Sequence, residues 1–285
     1  MKTLAKYASL VKFSHTVFAM PFALMSYVYA MVSTGIGFDW VLLLKIILCL
    51  VLARNAAMSF NRIVDREIDK ANPRTASREI PSGKISAKSA KWFCGVNGAL
   101  FLIVAAFINS TTGYLAPVAL LIVLLYSFAK RFTWLSHIFL GLALAVAPVG
   151  AWIAVANTIS VFSVILASVV VTWVGGFDII YSLQDREFDK RQSLHSIPAF
   201  FSVRSSLLIS AGLHLLSVYG VVLIGAEYMN GLLYWAGAIL FTGTLIVQHL
   251  EVWGRKSKGI ASSFGLFNGI ASISYSVFAI LNTLL

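Results

Sequence analysis

The chain has 285 residues, of which 59% are hydrophobic and only 12% charged, with a net charge of +11. A soluble domain carries roughly a quarter of its residues as charges, so an ordinary water-soluble globule is excluded. The surplus of Lys and Arg falls in the connections between apolar stretches rather than in one basic patch, which argues against nucleic acid as the partner.

A membrane-spanning helix takes about 20 mostly apolar residues. In chain order, nine stretches qualify, at roughly 14–33, 39–60, 92–110, 113–129, 134–156, 160–183, 206–226, 230–250 and 264–284. Runs such as "VLLLKIILCLVLA" and "SVILASVVVTWV" do not alternate polar with apolar residues, as the strands of a membrane β-barrel would. The basic start and apolar run at the N-terminus have some signal-peptide flavour; the length of the run favours a retained first span. Cys49 and Cys94 lie in or beside apolar spans without a ligand cluster, and read as core residues.

The basic residues alternate from loop to loop. Lys2, Lys6 and Lys12 precede the first span, and eight Lys and Arg residues lie from Arg62 to Lys91 between the second and third. Lys130 and Arg131 follow the fourth span, four more follow the sixth, and Arg255, Lys256 and Lys258 follow the eighth. The intervening connections, "STGIGF", "NSTTG", "NTIS" and "EYMN", have no Lys or Arg. Basic residues concentrate in cytoplasmic loops, so the N-terminus is expected inside and the C-terminus outside, in a bacterial-type inner membrane. Lys45 and Arg54 fall inside the second span; Lys45 is expected to snorkel outward and Arg54 to face a cavity.

Two near-identical strings hold six of the eleven acidic residues: "DREIDK" at Asp65–Lys70 and "DREFDK" at Asp185–Lys190. Each begins where an even-numbered span ends, four spans apart. This predicts an all-α, polytopic membrane protein of nine transmembrane helices, built as two parallel four-helix repeats (about 1–131 and 132–258) plus a ninth helix at about 264–284, all in one domain over residues 1–285. Residues four apart share a helix face, so Asn61, Asp65 and Asp69 form one polar stripe, and Asp178, Tyr181, Asp185 and Asp189 another. Carboxylates this close repel unless a cation intervenes, and Mg²⁺ suits them because it takes oxygen ligands and bridges carboxylates to phosphate. A solvated helix end, with Asp65 and Asp69 paired to Arg62 or Arg66, is the plain alternative, which the duplication argues against. Arg74, Arg78 and Lys84 follow in an unusually long loop, a receptor for a polyanion such as diphosphate.

These residues carry a resemblance. Asn61, Asp65 and Asp69 stand as the N-x-x-x-D-x-x-x-D motif of the UbiA superfamily of intramembrane aromatic prenyltransferases, and "DIIYSLQDREFD" resembles its second motif through Asp178, Tyr181, Asp185 and Asp189. "KFSHTVFAMPFAL", "RTASREIPSGKIS" and "YSFAKRFTWLSHIFLGLALAVAPVGAW" resemble its first helix, its loop after the first motif and its fourth and fifth helices. The flanks are most like the 4-hydroxybenzoate polyprenyltransferase branch, and "NRIVDREIDKANPRTASREIPSGKIS" is similar to its relatives in the futalosine route to menaquinone, whose acceptor is a dihydroxynaphthoate. One departure is His137, where many hydroxybenzoate enzymes carry Gln.

The resemblance implies a polyprenyl diphosphate donor, an aromatic carboxylic acid acceptor, Mg²⁺ and a site opening to the lipid bilayer. It makes Asp65, Asp69, Asp185 and Asp189 catalytic, and metal ligands together with Asn61. It places Asn61, Arg62, Arg74, Arg78, Lys84, Asp178 and Tyr181 at the substrates and sets the Lys130/Arg131 pair near the acceptor's carboxylate. His15, His137, His195, His214 and His249 show no metal spacing and read as structural, with His15 favoured as pocket-lining. Two other functions fit less well: prenyl transfer to a haem or glycerol phosphate acceptor, and cation-coupled transport, which places its carboxylates near the membrane midplane.

Overall fold

The computed structural model describes the backbone of residues 2–11, 18–254 and 260–285, and the side chains of 6–11, 18–253 and 265–285. Among the described residues there is no strand. In chain order the helices are α1 (Lys2–Leu10), α2 (Met20–Thr34), α3 (Trp40–Val64), α4 (Arg66–Ala71), α5 (Ala87–Ala106) and α6 (Ser110–Leu125), which tightens into a 3₁₀ turn at Tyr126–Arg131. There follow α7 (Ser136–Ala156), α8 (Val161–Ser182), a 3₁₀ turn at Leu183–Asp185, α9 (Arg186–Arg191), α10 (Ile197–Phe200), α11 (Val203–Glu227), α12 (Leu232–Gly254) and α13 (Ile260–Leu284). In lipid a helix satisfies its own backbone polar groups, which suits the all-helical form of the described residues.

Eight described helical runs are long and apolar enough to span a bilayer: Trp40–Val64, Ala87–Ala106, Ser110–Arg131, Ser136–Ala156, Val161–Arg191, Val203–Glu227, Leu232–Trp253 and Gly265–Leu284. They match the expected second to ninth spans. The expected first span is described only as α2, a 15-residue helix; residues 12–17, with Lys12 and His15, lie outside the described residues, as do Arg255, Lys256 and Lys258. Helix ends follow capping rather than hydropathy. Side-chain oxygens of Ser86, Asn109, Ser160 and Ser202 accept the backbone N–H three residues on, which satisfies an otherwise orphaned donor. Ser86 thereby starts α5 five residues before the apolar stretch that hydropathy detects.

The chain forms two compact units, Met1–Thr16 with Val41–Phe128, and Val17–Trp40 with Ala129–Leu285. In the first, Leu52 of α3 packs on Phe101 and Ala105 of α5 and Ala116 of α6, with Cys49 at the edge. A second cluster joins Leu10 and Tyr7 of α1 to Ile63, Ile85, Ala90 and Cys94, just below the first acidic string. Polar residues add specific contacts: the Asn55 amide donates to Asn97 Oδ1 at 3.0 Å, and Lys45 Nζ donates to the Phe107 carbonyl at 2.8 Å. Lys45 therefore finds an anionic partner in the partial negative charge at the end of α5.

In the second unit α8 is the most enclosed helix, with Leu166, Val169, Val170, Trp173, Val174 and Phe177 all buried. Helix α11 is hydrogen-bonded to it by a row of side chains one turn apart. Ser210 Oγ donates to the Gly176 carbonyl at 2.7 Å, His214 Nε2 to that of Trp173 at 3.3 Å, and Ser217 Oγ to that of Val169 at 3.1 Å. Because His214 Nε2 donates, its Nδ1 accepts from His249 Nε2 at 2.9 Å. On the other flank, Gly141 of α7 lets that helix touch α8, since a Cβ there would stand 2.5 Å from the Val171 carbonyl oxygen and 2.9 Å from its Cα.

Gly141→Ala must push backbone from backbone, so it is expected to destabilise the protein by roughly 1–3 kcal/mol. Gly150→Ala, in the same helix with nothing within 4 Å of the new Cβ, should be neutral or slightly stabilising. Thermal unfolding of the two variants in detergent checks this.

Candidate active site

Both acidic strings take the same local form, in separate units. The long helix ends before the first Asp of the string, at Val64 in the first unit and at Ser182 in the second, where the 3₁₀ turn Leu183–Asp185 follows. That Asp sits near the bridge region (φ −90°, ψ 8° for Asp65; φ −99°, ψ 1° for Asp185), and a six-residue helix begins after it. An unbroken helical stripe was expected. The break is slight in the first unit, where Asp65 N–H still reaches the Asn61 carbonyl at 2.9 Å and Asp69 N–H the Asp65 carbonyl at 2.7 Å. The stripe thus survives the break.

In the first unit Asp69 is buried, 5% exposed, against Arg62, also 5% exposed. Arg78 Nη1 donates to Asp69 Oδ1 at 2.6 Å, and Arg62 Nη1 stands 4.0 Å from Oδ2. Asp69 Oδ2 is itself buried without a hydrogen bond. Asn61 Nδ2 donates to Asp65 Oδ2 at 3.0 Å. The long loop is folded back on the string: Thr75 Oγ1 donates to the Asp69 carbonyl at 3.0 Å, and successive turns return Arg78 to the carboxylate nine residues behind it. Tyr126 lies within electrostatic reach of Arg54, Arg62 and Asp65. Of the expected loop cations, Arg78 joins this cluster; Arg74 is exposed, as is Lys84, whose Nζ donates to the Ser77 carbonyl at 3.4 Å.

In the second unit Asp185 and Asp189 are buried, 9% and 3% exposed. Asp189 Oδ2 accepts from Ser196 Oγ at 2.9 Å and faces Lys130 Nζ at 3.9 Å. Asp185 and His137 are within electrostatic reach of it. Asp178 Oδ2 accepts from His137 Nδ1 at 2.7 Å. Tyr181 is half-buried one turn before Asp185, and Arg131 is exposed at the end of its 3₁₀ turn. Lys130 therefore stands at the Asp189 carboxylate. Sequence reasoning missed Tyr126, Thr75, His137 and Ser196. Nothing in their spacing marks them, since each is brought in by a loop or a neighbouring helix; only the departure at His137 drew notice.

The donor sets suit Mg²⁺ acting with a phosphate. Each string offers two carboxylates, the first with the Asn61 amide, and among the described residues no group of three or more His, Cys, Asp or Glu forms a self-sufficient metal cage. Mg²⁺ is held through one or two carboxylates, with waters and substrate phosphate completing its octahedron. The buried, unbonded Asp69 Oδ2 is a lone pair such an ion would take up.

The profile described as the UbiA prenyltransferase family matches residues 19–271. The chain is 32% identical to the 4-hydroxybenzoate octaprenyltransferase of Vibrio vulnificus (strain CMCP6) over 215 residues, 74% of this chain and 75% of that protein. It superposes on the apo structure of a UbiA homolog from Aeropyrum pernix K1 with a TM-score of 0.85 at 30% identity, covering 95% of this chain and 98% of that one. A UbiA homolog from Archaeoglobus fulgidus, solved bound to GPP and Mg²⁺, shares the fold with a TM-score of 0.72 at 19% identity, over 97% and 99% of the two chains.

Neutralising Asp69 would remove the carboxylate that the buried Arg62 and Arg78 both approach. Asp69→Asn is therefore expected to cost roughly 3–5 kcal/mol in thermal unfolding measured in EDTA, where no divalent ion contributes. Glu67→Gln, whose carboxylate is exposed beside Arg66, should leave the transition where it is.

Proposed function

This chain belongs to the UbiA prenyltransferase family, and from that premise we propose that it transfers a polyprenyl group from an allylic polyprenyl diphosphate to an aromatic acid acceptor. The acceptor is 4-hydroxybenzoate or a dihydroxynaphthoate, and the step belongs to ubiquinone or menaquinone biosynthesis. The observation that carries this reading is the pair of buried carboxylate strings, each set against a cation on its own unit. The relatives named 4-hydroxybenzoate octaprenyltransferase and the homolog bound to GPP and Mg²⁺ support it.

In this reading Asp65 and Asp69 with Asn61, and Asp185 and Asp189, hold Mg²⁺. An ion held by these residues would supply positive charge to offset that of the leaving diphosphate. Arg62 and Arg78 add fixed positive charge toward the same oxygens, with Arg74 and Lys84 drawing the anion in from the loop. Loss of the C–O bond leaves an allylic cation, which the electron-rich ring attacks at carbon before losing its ring proton. Lys130 and Arg131 meet the acceptor's carboxylate, and Asp178 and Tyr181 line the substrates. The eight described spans, with the stretch at 14–33 as a ninth, make one domain over residues 1–285, a pair of four-helix repeats followed by a last helix. The basic loops lie in the cytoplasm, the N-terminus inside and the C-terminus outside.

Membranes carrying the protein, fed a polyprenyl diphosphate with either acceptor, are expected to yield the prenylated ring by mass spectrometry. Asp65→Ala, Asp69→Ala, Asp185→Ala and Asp189→Ala should each abolish the product, and EDTA should stop the wild type. Full turnover in EDTA, or a product formed only with glycerol phosphate, would sink this assignment.

The orientation has its own check. Cysteines introduced at Asn157 or Asn230 should react with an impermeant thiol reagent from outside the cell, and one at Ser86 or Ser202 should not.

A further inference from the structure

We propose that His137 is a positioning residue, which with the strap His195–Ile197 holds the second carboxylate row and Lys130 in register. This rests on the reading that Asp178, Asp189 and Lys130 meet the substrates. The strap is stitched at three consecutive residues. His195 N–H donates to the Lys130 carbonyl at 2.7 Å, Ser196 Oγ to Asp189 Oδ2 at 2.9 Å, and Ile197 N–H to His137 Nε2 at 3.2 Å. Through the other edge of its ring His137 reaches Asp178 at 2.7 Å. One imidazole and one short segment thereby tie together the first carboxylate of the row, the last one and the backbone of the basic pair.

The imidazole has one workable protonation pattern. Ile197 N–H can only donate, so Nε2 must present a lone pair. The proton of the neutral ring is then on Nδ1, donated to Asp178. A second proton on Nε2 would face the Ile197 N–H and break that stitch. His137 and Ser196 are fully buried, and Ile197 and Pro198 are buried beside them, so water cannot replace a lost partner and each bond carries geometry as well as energy. Ser196 is doubly used: its Oγ also accepts Ala199 N–H at 3.2 Å as the cap of α10, which fixes the strap's exit. The left-handed turn at Ser193, φ 52°, and Leu194 N–H on the Asp189 carbonyl at 2.9 Å fix its entry.

A Gln side chain presents a donor and an acceptor about as far apart as the two ring nitrogens, so His137→Gln can bond both Asp178 and Ile197. His137→Leu keeps the bulk and neither bond. We expect His137→Gln to keep kcat/KM for prenyl transfer within about threefold, and His137→Leu to lose roughly 10- to 100-fold, the range for displaced supporting groups. Two measurements do not depend on the activity. ¹⁵N spectra of the wild type should show His137 with Nδ1 protonated and Nε2 bare, and hydrogen exchange at the Ile197 amide should be slow in the wild type and His137→Gln but fast in His137→Leu. Equal losses in the two variants, a bare Nδ1, or an Ile197 amide indifferent to His137→Leu would overturn the proposal. If His137→Leu does not fold, the wild-type tautomer and the Gln variant decide it. A wild type without prenyl transfer but with the expected tautomer and protected amide would sink the proposed function and leave the strap standing.

Discussion

A carboxylate taken out of water has to be met by a cation or by donated hydrogen bonds, and the surroundings of both acidic strings are organised around that demand. Isolated, a buried charge costs several kcal/mol even after relaxation. Asp69 is met by Arg78 and approached by Arg62. Asp189 is met by Ser196 and faced by Lys130, and Asp178 is met by His137. The partners differ in kind: Arg62 and His137 come from long helices, Arg78 and Ser196 from segments that fold back onto the strings. The loop after α4 curls through Thr75 to return Arg78; the strap after α9 turns at Ser193 to deliver Ser196. Loop structure here is a consequence of carboxylate burial.

The helices that carry the strings are held by a different currency. Apolar side chains gain little from leaving lipid for protein, so membrane helices associate through close packing and interhelical hydrogen bonds. The α8–α11 contact shows both, with Ser210, His214 and Ser217 bonding successive carbonyls of α8. Gly141 allows α7 to approach the other flank. The result is a closely packed α8, and α8 carries Asp178 and Tyr181 just ahead of the 3₁₀ turn to Asp185. A site that must hold charges to within a fraction of an ångström is better founded on such a helix than on a loop.

Much of this was readable in the chain. Eight of the nine apolar stretches became helices within a few residues of their expected ends, and the two acidic strings took the same local form. Hydropathy erred at helix starts such as Ser86, because capping hydrogen bonds and not lipid thickness decide where winding begins. It also gave no sign that each string would open with a break, since a bridge-region backbone at Asp65 and Asp185 leaves the four-residue spacing almost intact. The plain alternative of a solvated helix end does not describe Asp69, Asp185 or Asp189, which are buried.

Sequence by itself determined the all-helical class, eight of the apolar spans and the family, because period, apolar length and motif spacing are local properties that a linear reading captures. Tertiary structure alone decided which cations meet the carboxylates. Arg78 stands at Asp69 and Lys130 at Asp189, since a loop's path is set by the sum of its turns and not by composition. It also turned His137 from an ordinary core histidine into the partner of Asp178 and Ile197, 41 and 60 residues away. Contacts across such separations depend on how helices pack, and no spacing rule encodes them.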